Sequence, residues 1–160
     1  MSDRTTPWGS ATALLAAAGV PEDPSYYRGF TTEDEKAVLT VAMRIQTGWE
    51  RNDADYFADV FEENGSLLMQ DTQLTSREQI RSFMREGFLG GFKGARVKGW
   101  PVSVSFLSRD VAVVVTEGGI ILAGETETAP ERQIRATWVV VRDGEGRLGL
   151  LSHQGSPVKG

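Results

Sequence analysis

The stretch "DVAVVVTEGGIILAG", residues 110 to 124, constrains the fold of this chain more than any other. Side chains of a strand point alternately to opposite faces. That puts Val111, Val113 and Val115 on one face, with Ala112, Val114 and Ile120 nearer the other. Both faces are apolar, whereas an antiparallel sheet with one wet face alternates apolar with polar residues. The sheet holding this strand should therefore be covered on both sides. Cover on the convex side is supplied most simply by a second copy of the chain, which predicts a homodimer through the sheet face. Gly118 and Gly119 interrupt the run and mark a kink, so the sheet is expected to curl and leave a hollow on its concave side.

The segments around this strand agree with such a sheet. "VSVSFL" alternates after Pro101, which marks a bulge or an edge; "RQIRATWVVV" runs to the turn "RDGEG"; "GRLGLLSHQGSP" reads as the last strand. Upstream the period changes. Thr32 followed by Glu35 forms a capping box, and Val38, Val41, Ala42, Ile45 and Trp49 then fall on one helical stripe. A short helix "DADYFADVF", a strand "GSLLMQD" and a helix "SREQIRSFMREGF" follow. Three helices early and a run of antiparallel strands afterwards is the α+β pattern. Residues 1–30 hold three of the six prolines and lack sustained periodicity. They read as a partly disordered N-terminal extension with one short helix near Leu14 and Leu15, and residues 31–158 read as a single domain.

Composition removes several classes of function. A net charge of −5 argues against nucleic acid, which needs a basic face. The patch "GGFKGARVKGW", with Lys93, Arg96 and Lys98, reads as a solvated loop and strand edge. With no cysteine and one histidine, neither a thiolate nor a His-rich metal site is available, and no metal is expected. The longest apolar segment, "ATALLAAAGV", is too short to span a bilayer, so a cytoplasmic protein with no membrane partner is the default. No G-x-G-x-x-G opens a helix after a strand, so no dinucleotide or other cofactor is expected.

Certain stretches carry a family resemblance: "GFKGARVKGWPVSVSFLSRDVAVVVTEGGIILAGE", "RQIRATWVVVRDGEGRL", the ending "HQGSP" and, more loosely, "TGWERNDADYFADVFEENGSLL" and "SREQIRSFM". Over residues 32 to 157 the chain resembles the nuclear transport factor two-like superfamily, the cone-shaped α+β fold of ketosteroid isomerase and SnoaL-like proteins. Within it, the sequence is closest to SgcJ/EcaC-type proteins of enediyne biosynthesis. The resemblance implies a homodimer with an apolar pocket in each cone and a role in making or handling an enediyne polyketide. It leaves open a binding protein, a scaffold or a cofactor-free isomerase, cyclase or dehydratase, because fold does not fix function. Those relatives carry a tyrosine before the terminal glutamine and an asparagine after it, where this chain has His153 and Gly155.

Candidate site residues follow from the expected hollow and its hydrophobic small-molecule ligand. Trp49, Tyr56, Phe83, Met84, Phe88, Trp100 and Trp138 are the large side chains that could line it. Asp71, two residues after Met69, is a candidate general acid or base, since a carboxylate in an apolar hollow has a raised pKa. Glu117 is either a pocket acid or a bulge residue. Arg135 and Trp138 point to opposite faces of their strand, as do His153 and Gln154, so each pair has one place in the wall. His153 suits proton transfer near neutral pH, and with Asp71 makes the candidate catalytic pair.

Overall fold

The computed structural model describes residues 7–158. The N-terminal segment packs on the body rather than trailing from it, which corrects the expected partly disordered extension over residues 7–30; residues 1–6 lie outside the described residues. Helix α1, Ala11–Ala18, is capped by Ser10 and stopped at Gly19, whose φ is +71°. A 3-10 turn, Pro24–Tyr27, follows with Asp23 as its cap. Trp8, Leu15, Tyr26 and Tyr27 are buried, and their sequence signal is aromatic anchoring rather than periodicity. Trp8 meets Phe106 at a centroid distance of 5.6 Å and donates its backbone N–H to Asp34.

Helix α2, Glu33–Arg51, starts at the Thr32–Glu35 capping box. Its stripe carries Trp49, which meets Phe88 and Phe92 edge-on at 5.4 and 5.2 Å. The helix stops at Asn52 in the left-handed conformation. The Asn52 side chain then holds two parts of the chain together, donating to the carbonyls of Trp49 and Ala95 and accepting from the Gly94 N–H at 2.6 Å. Helices α3, Ala54–Asp59, and α4, Arg77–Leu89, complete the helical layer.

Six strands form one sheet: β1 Phe61–Met69, β2 Thr72–Leu74, β3 Arg96–Phe106, β4 Val111–Ile121, β5 Ile134–Arg142 and β6 Leu148–Pro157, in the order β2-β1-β6-β5-β4-β3. The α+β class and the curled sheet against helices are as expected. One pairing differs: β1 runs parallel to β6, and Leu67 sits opposite His153. Residues 61–64, read from sequence as a helix end and the turn after it, already belong to β1, with a register break before Ser66.

The curl has a local cause in glycine and proline. Gly118 has φ +156° and faces Gly99 across β3 and β4. A Cβ at Gly118 would lie 2.5 Å from the Gly99 Cα, so the two backbones cross where neither residue has a side chain. The β3–β4 register also shifts between Pro101 and Ser103, on the sheet-edge strand. Strand β4 turns Ala112, Val114 and Thr116 into the core, while Val111, Val113 and Val115 stay partly exposed on the convex face.

Candidate functional site

Between α2, the 3-10 turn and the concave sheet lies a cavity of about 270 Å³. Ile45 and Trp49 of α2, Met69 of β1, Ile120 of β4 and Ile134 of β5 give it a mostly apolar wall, the composition small-molecule sites share. Strand β5 contributes Trp138, whose indole Nε1–H donates to the Thr116 hydroxyl at 2.8 Å. That bond satisfies both buried polar groups and fixes the indole plane.

His153 lies beside Trp138, ring centroids 4.0 Å apart, and lines the cavity. Neither ring nitrogen bonds another described residue, and Nδ1 is shut off from solvent without a partner. Burial lowers the imidazole pKa from 6.5 to about 4, against a small opposing effect of its own backbone, because a charged ring in an apolar wall is poorly solvated. The ring is therefore neutral at physiological pH and can accept a proton or a hydrogen bond.

The other polar groups of the wall come from both ends of the chain. Tyr26, brought in by the N-terminal segment, is buried, and burial raises its pKa well above the ordinary phenol. Its hydroxyl bonds no other described side chain, and the phenol stays neutral. Gln46, one helical position after Ile45, adds an amide. Glu117 reaches the wall too, but Arg135, its cross-strand neighbour, engages it through Nε and Nη2. Arg132, in the short 3-10 turn Pro130–Arg132, is paired to Glu125, which also accepts the Leu122 N–H. Among the described residues no three acidic or imidazole side chains converge as a metal-ligand set.

Of the candidates read from sequence, Trp49, Glu117, Trp138 and His153 line this cavity. Seven do not. Asp71 is exposed: β1 ends at Met69, and the tight Gln70–Asp71 turn into β2 carries the carboxylate into water. Asp71→Asn is accordingly expected to leave ligand affinity and stability unchanged, within about 0.5 kcal/mol in calorimetric titration and urea melts. Gln154 alternates away from His153 and donates to the hydroxyls of Ser66 and Ser152 on the outer face. Tyr56 bonds the Ala18 carbonyl at 2.9 Å, beneath Arg51. Met84 and Phe88 are core, Phe83 packs at its edge, and Trp100 lies under Arg28 on the sheet-edge strand. The helical residues and Gln154 were placed on the right elements, but periodicity does not tell core from cavity. Tyr26, Gln46, Thr116 and Arg132 were missed. Only Tyr26 carried a signal, as an aromatic in an otherwise unpatterned segment.

Solved structures share this fold. A Nostoc punctiforme protein of unknown function with a cystatin-like fold is 27% identical and superposes with a TM-score of 0.71, over 79% of this chain and 78% of its own. A protein of unknown function from Shewanella oneidensis, described as NTF-2-like, superposes with a TM-score of 0.61 at 14% identity, over 74% of this chain and 95% of its own. The fold is the NTF-2-like, or cystatin-like, cone. A proposed ketosteroid isomerase from Shewanella frigidimarina has the same cone, with a TM-score of 0.55 at 11% identity over 73% of this chain and 92% of its own. No protein-family model and no curated protein matches the sequence. In this cone the cavity lies on the concave side of the sheet, and no described helix is long and apolar enough to cross a membrane.

Proposed function

We propose that this protein binds an apolar small molecule inside the cone and that His153 handles a proton of that molecule, as a cofactor-free isomerase, cyclase or dehydratase would. The observation that carries this reading is a neutral, unpartnered imidazole in the wall of an apolar cavity. His153 would take a proton α to a carbonyl, and the Tyr26 hydroxyl would stabilise the developing oxyanion. The resemblance to enediyne-pathway proteins supports a polyketide or polyene as the natural ligand. The solved cone described as a ketosteroid isomerase is compatible with proton-transfer chemistry on this scaffold.

A pure binding or sequestering role is favoured by one specific feature. No described carboxylate orients or charges the imidazole, since Asp71 is in solvent and Glu117 is held by Arg135. Exchange of the α-hydrogens of 2-tetralone for deuterium, followed by NMR at pH 7, separates the two roles. Acceleration of at least ~10-fold over buffer, on the scale general bases contribute, supports catalysis. Binding of the ketone without acceleration leaves the sequestering role.

The convex valines support a homodimer in solution as part of the same proposal. Val113 pairs with Val139 and Val111 with Val141 across β4 and β5, giving a half-exposed apolar strip with serines and Gln154 beside it. Sedimentation of the wild type is expected to give twice the chain mass. Val113→Asp, which places a charge in that strip, is expected to give the single-chain mass with an unchanged circular-dichroism spectrum.

A further inference from the structure

Five arginines among the described residues are half-buried: Arg44, Arg77, Arg81, Arg132 and Arg142. Three of them carry carboxylate partners, Arg81 with Asp55, Asp59 and Glu78, Arg132 with Glu125, and Arg142 with Asp110. Arg44 and Arg77 are the exceptions, with no described carboxylate within 4.0 Å. A partly buried cation without a counter-charge costs free energy, and the two exceptions lie together. Both line a polar cleft of about 640 Å³ between α1, α2 and the first residues of β1 and β6. This cleft shares no residue with the cone cavity.

Each of the two guanidinium groups is anchored at one end. Arg44 donates from Nη1 to the Leu148 carbonyl and Arg77 from Nε to the Phe61 carbonyl, both at 2.9 Å. Burial lowers the Arg44 pKa, with Tyr56 opposing it. None of the unbonded nitrogens of this pair is shut off from solvent, so a molecule in the cleft reaches them. Guanidinium groups present forks that match carboxylate oxygens, and the pair therefore calls for an anionic end.

The acidic residues of the wall define the other end. Asp59 is paired with Arg81 and Asp143 with Arg147, and Glu63 is exposed. Glu62 is half-buried and lies over Gly149, where an added Cβ would overlap its carboxylate. It forms no ion pair with a described cation and stands beyond 4.0 Å from both Arg44 and Arg77. A simple anion would meet the Glu62 charge as well as the arginines, and like charges repel. A ligand that carries a cation a few atoms from its carboxylate answers both.

We propose that this cleft is a second ligand site, separate from the cone, for a small zwitterion of the amino-acid class. Its carboxylate bonds Arg44 and Arg77, and its ammonium pairs with Glu62.

Heteronuclear NMR titration of the full chain with 4-aminobutyrate, butyrate and butylamine tests this. 4-Aminobutyrate is expected to shift the Gly149 amide signal saturably while the Trp138 indole signal stays in place. It should bind at least ~10-fold more tightly than butyrate or butylamine, the worth of one charge-assisted hydrogen bond. Glu62→Gln should reduce its affinity to that of butyrate. Arg77→Gln should abolish binding of both carboxylates, with the tryptophan indole signals reporting an intact fold. Equal affinities for the three compounds, or tighter binding of butyrate than of 4-aminobutyrate, would overturn the proposal. So would an unmoved Gly149 signal in all three titrations, and none of these results bears on ligand binding inside the cone.

Discussion

Replacing His153 with leucine is expected to reduce 2-tetralone exchange to the buffer rate while leaving the protein as stable as the wild type or about 1 kcal/mol more stable. On the proposed role the two effects have opposite signs, because the imidazole then serves chemistry and not packing. Its Nδ1 is buried without a partner, and an apolar side chain of similar size avoids that desolvation cost. A structural histidine would behave in the opposite way, with its loss lowering stability.

The same residue governs a pH dependence whose sign follows from its lowered pKa. In the native state the imidazole titrates at about 4, against 6.5 when exposed. Between these values the unfolded chain binds a proton that the folded chain refuses, so stability falls as pH falls from 6.5 towards 4 and is complete above 6.5. The whole window is worth at most on the order of 3 kcal/mol, and less to the extent that water in the cavity solvates the ring. Urea melts at pH 7.0 and 5.0 are expected to show this loss in the wild type and a smaller one in His153→Leu. An equal pH slope in both proteins would remove His153 from the explanation.

Gly118→Ala is expected to destabilise the protein by about 3 kcal/mol or more, placing it among the severe single substitutions. Its φ of +156° is one that L-residues rarely adopt. An added Cβ would also overlap the Lys98 carbonyl oxygen and stand 2.5 Å from the Gly99 Cα. Both are backbone atoms of the paired strand, so the clash cannot be relieved by turning a side chain. Relief requires β3 and β4 to part, and these strands carry Lys98, Thr116 and Glu117 of the cavity wall. Loss of 2-naphthol binding should therefore accompany the drop in the urea midpoint. Ala at Gly91, where nothing lies within 4 Å, is the matching control and should change little.

Much of this architecture could be read from residue order, and the reasons it could are local. The Thr32–Glu35 box, the α2 stripe and the double glycine in β4 are each decided within a few residues of themselves. The alternation of His153 and Gln154 was equally legible, since a two-residue period forces one inward. Which of them turns inward was not legible, because that depends on the pairing of β6 with both β5 and β1. The parallel β1–β6 pairing has no local signature; it joins residues nearly ninety positions apart, such as Leu67 and His153. Asp71 was misplaced for a related reason. Extending the face of Leu67 and Met69 by two residues assumed that the strand continued, whereas β1 stops at Met69 and the hairpin turn begins. The N-terminal segment was underread because it folds as an adhering strap, with Trp8 and Tyr26 as isolated anchors, and such anchors carry no period.

The most direct test follows the four tryptophan indole N–H signals by heteronuclear NMR while 2-naphthol is added. Trp49 and Trp138 line the cavity, and Trp8 and Trp100 pack elsewhere, so the protein carries its own controls. Saturable shifts of the Trp49 and Trp138 signals, with those of Trp8 and Trp100 unmoved, are the result expected of a ligand inside the cone. No shift at any tryptophan, or shifts at Trp8 and Trp100 alone, would contradict it.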